Sequence, residues 1–189
     1  MFEVEIKAEV INLDNVLKFL TNSGFVVKKY FVKDIYLQHP CRDFSRTDEE
    51  LRIRWQSIDD ENVCVITYKG PSLSKDRSVR EEIEIQINET LYDILKRLGF
   101  RDIIEKEKQG WLLEKGNIKI SLINVRGRYM GKEVNLGNFI EIEIIVSNKR
   151  DINNAKARIM ELYKKIPGVG EIDSEYYTEK IVKFATKHT

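Results

Sequence analysis

The sequence predicts a mainly β fold of the α+β class, a barrel or closed sandwich with flanking helices, and three features predict it. Nine stretches of this 189-residue chain read as strands and four as helices, with short polar turns between them. The strands alternate apolar and charged residues with a period of two. A unit also repeats: a charged alternating strand, a helix, Gly-Phe, then another strand, once around residues 3–38 and again around 80–113. Many antiparallel strands with few helices favour one closed sheet over separate domains.

The first strand is residues 2–10, with Phe2, Val4 and Ile6 on one face and Glu3, Glu5 and Lys7 on the other. A helix over 12–24 starts at an Asn12 or Asp14 cap and stops at Gly24. Strands follow at 25–38, 50–56, 62–70 and 78–87. A second helix, 88–99, begins at Asn88 and ends at Gly99. The next strands are 101–110, 111–116, 117–125 and 138–146, with "KQGW" read as a turn and the segment after Asn124 as a long link. Helices at 151–166 and 173–187, separated by "PGVGE", complete the chain. Residues 1–189 read as one unit, its helical part 147–189 packing on the barrel.

Composition excludes several classes. The chain is 42% hydrophobic and 33% charged, yet its net charge is only +1, so no basic field points to nucleic acid. No apolar run approaches the roughly 18 residues that span a bilayer. Cys41 and Cys64 make no disulfide framework, and the chain opens on a strand without a signal-peptide run. A cytoplasmic protein is expected, with a second copy packing on the last helices as a candidate partner.

The charges come in same-sign pairs at i, i+2: Glu3 and Glu5, Arg52 and Arg54, Glu82 and Glu84, Lys106 and Lys108, Glu141 and Glu143. Except for Lys106 and Lys108, whose opposite face carries Glu105 and Glu107, each pair lies opposite an apolar face, as on a sheet with one wet side. Like charges so placed repel unless something of opposite sign lies between them. Acid pairs suit a hard cation, Mg²⁺ or Mn²⁺; basic pairs suit a phosphate chain. With the charged faces turned inward, one barrel would bind both.

"EVEIK" (3–7) resembles the ExExK signature of the CYTH superfamily, which unites class IV adenylyl cyclases with thiamine and inorganic triphosphatases. The likeness continues in order through "DIYLQHPCRDFSRTDEELRIR", "ITYKGP", "REEIEI", "KEKQGW", "LGNFIEIEI" and "SEYYTEKI", over nearly the whole chain. It implies a closed eight-stranded antiparallel tunnel around a triphosphate, and a metal-dependent enzyme nearest the class IV cyclase branch. The carry-over makes Glu3, Glu5, Glu141 and Glu143 metal ligands, with Asn124 a further candidate where the family has Asp. Triphosphate contacts fall on Lys7, Arg52, Arg54, Lys69, Arg80, Lys106 and Lys108, and catalysis on Glu3, Glu5, Lys7, Lys69 and Glu141. The substrates so implied are ATP, tripolyphosphate or thiamine triphosphate. The readings are cyclization, hydrolysis, or a non-catalytic polyanion-binding module.

Other residues have plainer readings. His39 precedes Pro40 in a loop, His188 lies in the tail, and the cysteines and Trp55 and Trp111 read as packing. "PGVGE" lacks the Lys-Ser/Thr of a P-loop. Asp34 and Tyr36 would lie near a tunnel mouth.

Overall fold

The structure is a computed structural model and describes residues 1–187; His188 lies outside the described residues. The chain runs β1 (Phe2–Val10), α1 (Leu13–Asn22), β2 (Val26–Gln38), β3 (Glu50–Ile58), β4 (Glu61–Ser72), β5 (Val79–Gln86) and α2 (Thr90–Arg97). It continues with β6 (Arg101–Lys115), β7 (Ile118–Tyr129), β8 (Lys132–Val146), α3 (Ile152–Tyr163), β9 (Val169–Ile172) and α4 (Tyr177–Thr186). All strand pairs are antiparallel, in the order β5-β4-β3-β2-β6-β7-β8-β1. Pairing of Glu3 with Arg80, flanked by Phe2–Glu81 and Val4–Val79, closes these eight into a barrel. β9 adds to the upper end of β1.

The apolar faces point outward. Val4, Ile6, Ile120, Leu122, Ile140, Ile142 and Ile144 pack beneath Val16 and Leu20 of α1 and Ala155 and Ile159 of α3. On the opposite wall Leu37, Ile53 and Cys64 pack against Leu95 of α2. Each such side chain fully removed from water contributes about 1.5–3 kcal/mol. Helices therefore cover the outside, and the charged faces are left to line the interior. Among the described residues, no helix is long and apolar enough to cross a membrane.

Two sequence expectations fail here, both over turns. Residues 101–115 form one strand, and "KQGW" lies in its middle rather than at a turn. Gly110 sits where β6 approaches β7 so closely that a Cβ would lie 2.1 Å from the Leu122 carbonyl oxygen. Glycine marks that close approach, not a reversal. Gly110→Ala is expected to cost about 1–3 kcal/mol through overpacking, measured by denaturant unfolding. The link after Asn124 is likewise not a loop. β7 and β8 extend to Tyr129 and Lys132 around Met130 and Gly131, whose φ of 49° and 79° fit a tight type I′ hairpin. This hairpin seats α4: Gly127 leaves room for Ile181, and Lys132 donates to the Ala185 carbonyl.

Candidate active site

Strand alternation carries Glu3, Glu5, Lys7, Arg52, Arg54, Lys69, Arg80, Lys106, Lys108, Glu141 and Glu143 into a common bore of about 500 Å³. Most are buried, Lys106 to 3% exposure and Glu141 to 4%. So many charges survive burial only in mutual compensation. The registers supply it, setting Glu3 opposite Arg80, Lys7 opposite Glu141, and Lys69 opposite Glu82.

One end of this network is acidic. Carboxylate oxygens of Glu3, Glu5 and Glu143 lie within 4.8 Å of one another. Burial opposes ionisation of Glu3, but the Lys69 ammonium bonded to it outweighs that and holds it at about 2. Glu5 has no such partner; burial, then Glu141 and Glu3, push it up to about 7. Burial, then Glu3 and Glu5, push Glu143 up to about 8. Three oxygen donors this crowded, two of them reluctant to ionise, fit a hard divalent cation, which takes oxygen ligands and favours their charged form. Glu141 stands apart from the trio, both its oxygens accepting from Lys108 Nζ at 2.6 and 2.7 Å. Asn124 does not join them. It lies on the outward register of β7, where Ser121 is the residue facing Glu141, and its amide donates to Asn138. Asn124 therefore lies apart from the Glu3, Glu5 and Glu143 group.

The two raised carboxyls have a consequence for pH. Their protons are held more tightly in the folded chain than in the unfolded one, so folding binds protons. Stability therefore falls as pH rises from about 4.5 to about 8, and the loss is complete above that. The melting temperature of metal-free protein is expected to drop between pH 5 and 8.5. Saturating Mg²⁺ or Mn²⁺ should raise it more at pH 8.5 than at pH 5. Scanning calorimetry at the two pH values checks this, and equal metal shifts would contradict it.

The basic residues gather around a carboxylate that sequence reasoning placed at the mouth and did not select. Asp34, 0% exposed, accepts from Arg54 Nε at 2.7 Å and from its second fork nitrogen at 3.0 Å. Lys106 lies 3.1 Å away and Arg52 3.8 Å. Burial alone would raise Asp34; Arg54, Lys106 and Arg52 hold it well below the usual carboxylate range. Tyr36 accepts from Lys106. Arg52 Nε is buried with no hydrogen-bond partner among the described residues, an unsatisfied cationic donor inside the bore. Arg80 is anchored through Nε to the Gly70 carbonyl at 2.8 Å.

Lys7 is engaged from outside the barrel. It donates to the Asp173 carbonyl at 2.7 Å and to the Glu175 carbonyl, and it pairs with the Asp173 carboxylate at 3.3 Å. These residues lead into α4, whose Tyr177 ring lies 5.3–5.4 Å from the ammonium groups of Lys7, Lys106 and Lys108. Tyr177 is a wall of the site that strand periodicity gave no reason to include.

The architecture recurs elsewhere. A protein of Pyrococcus horikoshii, PH1819, superposes with a TM-score of 0.81 at 34% identity, over 96% of this chain and 99% of that one. A Vibrio parahaemolyticus chain provisionally named an adenylate cyclase shares the fold, with a TM-score of 0.72 at 19% identity over 97% and 98% of the two chains. A Methanocaldococcus jannaschii protein, MJ0240, also provisionally named an adenylate cyclase, is 36% identical over 88% of this chain and 90% of its own. The CYTH domain family is matched over residues 1–174, and with the closed barrel and its inward charges on view, this chain belongs to the CYTH family.

Proposed function

We propose that this chain is a metal-dependent enzyme acting on the triphosphate of ATP in the manner of a class IV adenylyl cyclase. The ribose 3′-hydroxyl attacks the α-phosphorus, the cyclic 3′,5′-ester forms, and pyrophosphate leaves. The observation that carries the triphosphate is the enclosed set of bases ending in the unpartnered Arg52 Nε. A buried guanidinium donor with no acceptor is a strong site for a phosphate oxygen. The name of the M. jannaschii relative supports the cyclase form of the reaction.

Glu3, Glu5 and Glu143 would hold Mg²⁺ or Mn²⁺, which when bound lowers the pKa of an attacking hydroxyl and offsets charge at phosphorus. Lys69, bonded to Glu3, brings positive charge beside that position. Arg52, Arg54, Lys106 and Lys108 hold the phosphate chain and stabilise charge on the leaving pyrophosphate. Arg54, fixed by its two bonds to Asp34, presents a set orientation rather than a mobile one.

A second reading is hydrolysis at the terminal phosphorus by the same residues. It is favoured by the structure of a Hippeastrum chain, HpAC1, described as revealing a dominant triphosphatase activity; at 12% identity and a TM-score of 0.60 that likeness concerns the fold. Incubation with ATP or tripolyphosphate plus Mg²⁺ or Mn²⁺ separates the readings. Cyclic AMP with pyrophosphate supports the cyclase, orthophosphate supports the hydrolase, and neither product overturns both.

A further inference from the structure

The barrel closes along only part of β5. Its pairing with β1 covers Val79, Arg80 and Glu81, and β1 itself begins at Phe2. Beyond that seam Ile83, Glu84, Ile85 and Gln86 are all exposed, and among the described residues no strand lies beside them on that side. Two bonds fix which way the backbone points. Glu82 N–H donates to the Met1 carbonyl on the β1 side, and Ile87 N–H donates to the Cys64 carbonyl on the β4 side. Alternation therefore turns the N–H and C=O groups of Glu84 and Gln86 towards the open edge.

Such an edge is normally blunted by lysine, proline, a bulge or brevity. Residues 83–87 contain no lysine and no proline, and the register with β4 is unbroken from Glu82 to Gln86. The outer face here is apolar as well. Ile83 is 55% and Ile85 61% exposed, next to the half-buried Tyr68 and Ile66 opposite them on β4. Sequence reasoning placed a second copy on the last helices instead, but Ala155, Ile159 and Ile181 of those helices already pack into the molecule's own clusters.

The residues of the edge indicate what pairs with it. Read as an antiparallel strand about a two-fold axis at Ile85, "IEIQI" (83–87) is self-complementary. Ile85 meets its own twin, Ile83 meets Ile87, and Glu84 meets Gln86. Each Glu84–Gln86 pair exchanges two backbone bonds through the outward groups. The one charge of the segment faces an amide, so no like charges are opposed. An axis at Glu84 would set carboxylate against carboxylate. An axis at Gln86 would call on the Asn88 carbonyl, which already accepts from Leu91 N–H. The Ile85 axis meets neither obstacle.

We infer that the open end of β5 binds the β5 of a second copy in antiparallel register about Ile85, giving a two-fold dimer of barrels joined edge to edge. The inference does not depend on which reaction the bore performs.

Sedimentation equilibrium of the full chain tests it. Wild-type protein at about 100 µM is expected to show twice the 22.2 kDa chain mass and nothing larger, because a two-fold edge is closed once paired. Gln86→Pro deletes an edge donor without removing a β4–β5 bond. Ile85→Lys and Ile85→Glu each set like charges face to face on the axis. Every one of these variants is expected to weaken the dimer about tenfold or more. Ile85 is mostly exposed, so its two variants should melt close to wild type. An equal mixture of Ile85→Lys and Ile85→Glu should restore the dimer, since ammonium and carboxylate then meet across the axis. A dimer built on another face would show no such rescue. A monomeric wild type overturns the inference and leaves the edge to a strand of a different protein. A wild-type dimer that the variants leave intact, or that the mixture fails to restore, overturns it too.

Discussion

Asp34→Ala is expected to destabilise the folded chain by about 3–5 kcal/mol, the cost of removing one partner from a buried ionic cluster. For a chain of this size that is a fall in melting temperature of roughly 6–20 °C. The reason is arithmetic of charge in a confined space. Asp34 is wholly buried and is the acceptor shared by Arg54, Lys106 and, more distantly, Arg52. Without it three cations face one another with reduced compensation, and none can reach water without leaving its strand. The same loss creates a signature that an ordinary core defect would not. A triphosphate brings negative charge to the same cations, so saturating tripolyphosphate should raise the melting temperature of Asp34→Ala more than that of the wild type. Denaturant titration and calorimetry with and without ligand measure both quantities. A cost below about 1 kcal/mol, in the range of exposed ion pairs, would mean that the cluster is solvated and the bore is no low-dielectric enclosure.

This residue also shows where sequence reasoning stops. Paired charges such as Glu3 with Glu5, or Lys106 with Lys108, declare themselves because alternation repeats the same sign on one face. Asp34 is a single acid in "VKDIY", and one carboxylate on a strand is equally at home in solvent. What makes it the hub is the register that places it opposite both Arg54 and Lys106 on two neighbouring strands. Asn124 is a related case. Lys119 shares its face with residues 121, 123 and 125, so an even-numbered position points the other way, and a one-residue slip exchanges the faces. Family likeness supplied a position there that strict counting from Lys119 refuses. Gly110 is ambiguous in the sequence because glycine signals both a turn and a close backbone approach, and only the neighbouring strand distinguishes them. The engagement of Lys7 by Asp173 and Glu175 joins positions 166 and 168 residues apart, beyond any local pattern.

The second large effect should appear at Glu5→Gln, where activity and stability are expected to move in opposite directions. Outer-shell partners of metal ligands are worth about 10–100-fold in affinity or activity, so loss of a direct ligand should reduce metal-dependent turnover by more than about 100-fold. The amide keeps the size of the side chain and one oxygen but removes the charge that attracts a hard cation. That same charge is unfavourable in the metal-free fold, because burial and the neighbouring Glu141 and Glu3 raise the Glu5 carboxyl to about 7. The unfavourable contribution is absent below the ordinary carboxylate range, grows as pH rises from about 4.5, and is complete above about 7. Metal-free Glu5→Gln should therefore be more stable than wild type at pH 8, by about 1–3 kcal/mol, and nearly equal to it at pH 5. Its melting temperature should also respond less to Mg²⁺ or Mn²⁺. Glu143→Gln is predicted to behave in the same way, since its carboxyl is raised for the same cause. A residue that merely packed the wall would lose stability on substitution and show no such dependence on pH or metal. Undiminished turnover together with an undiminished metal shift in Glu5→Gln would remove the ion from the acidic end of the bore and place the metal-dependent step on other residues.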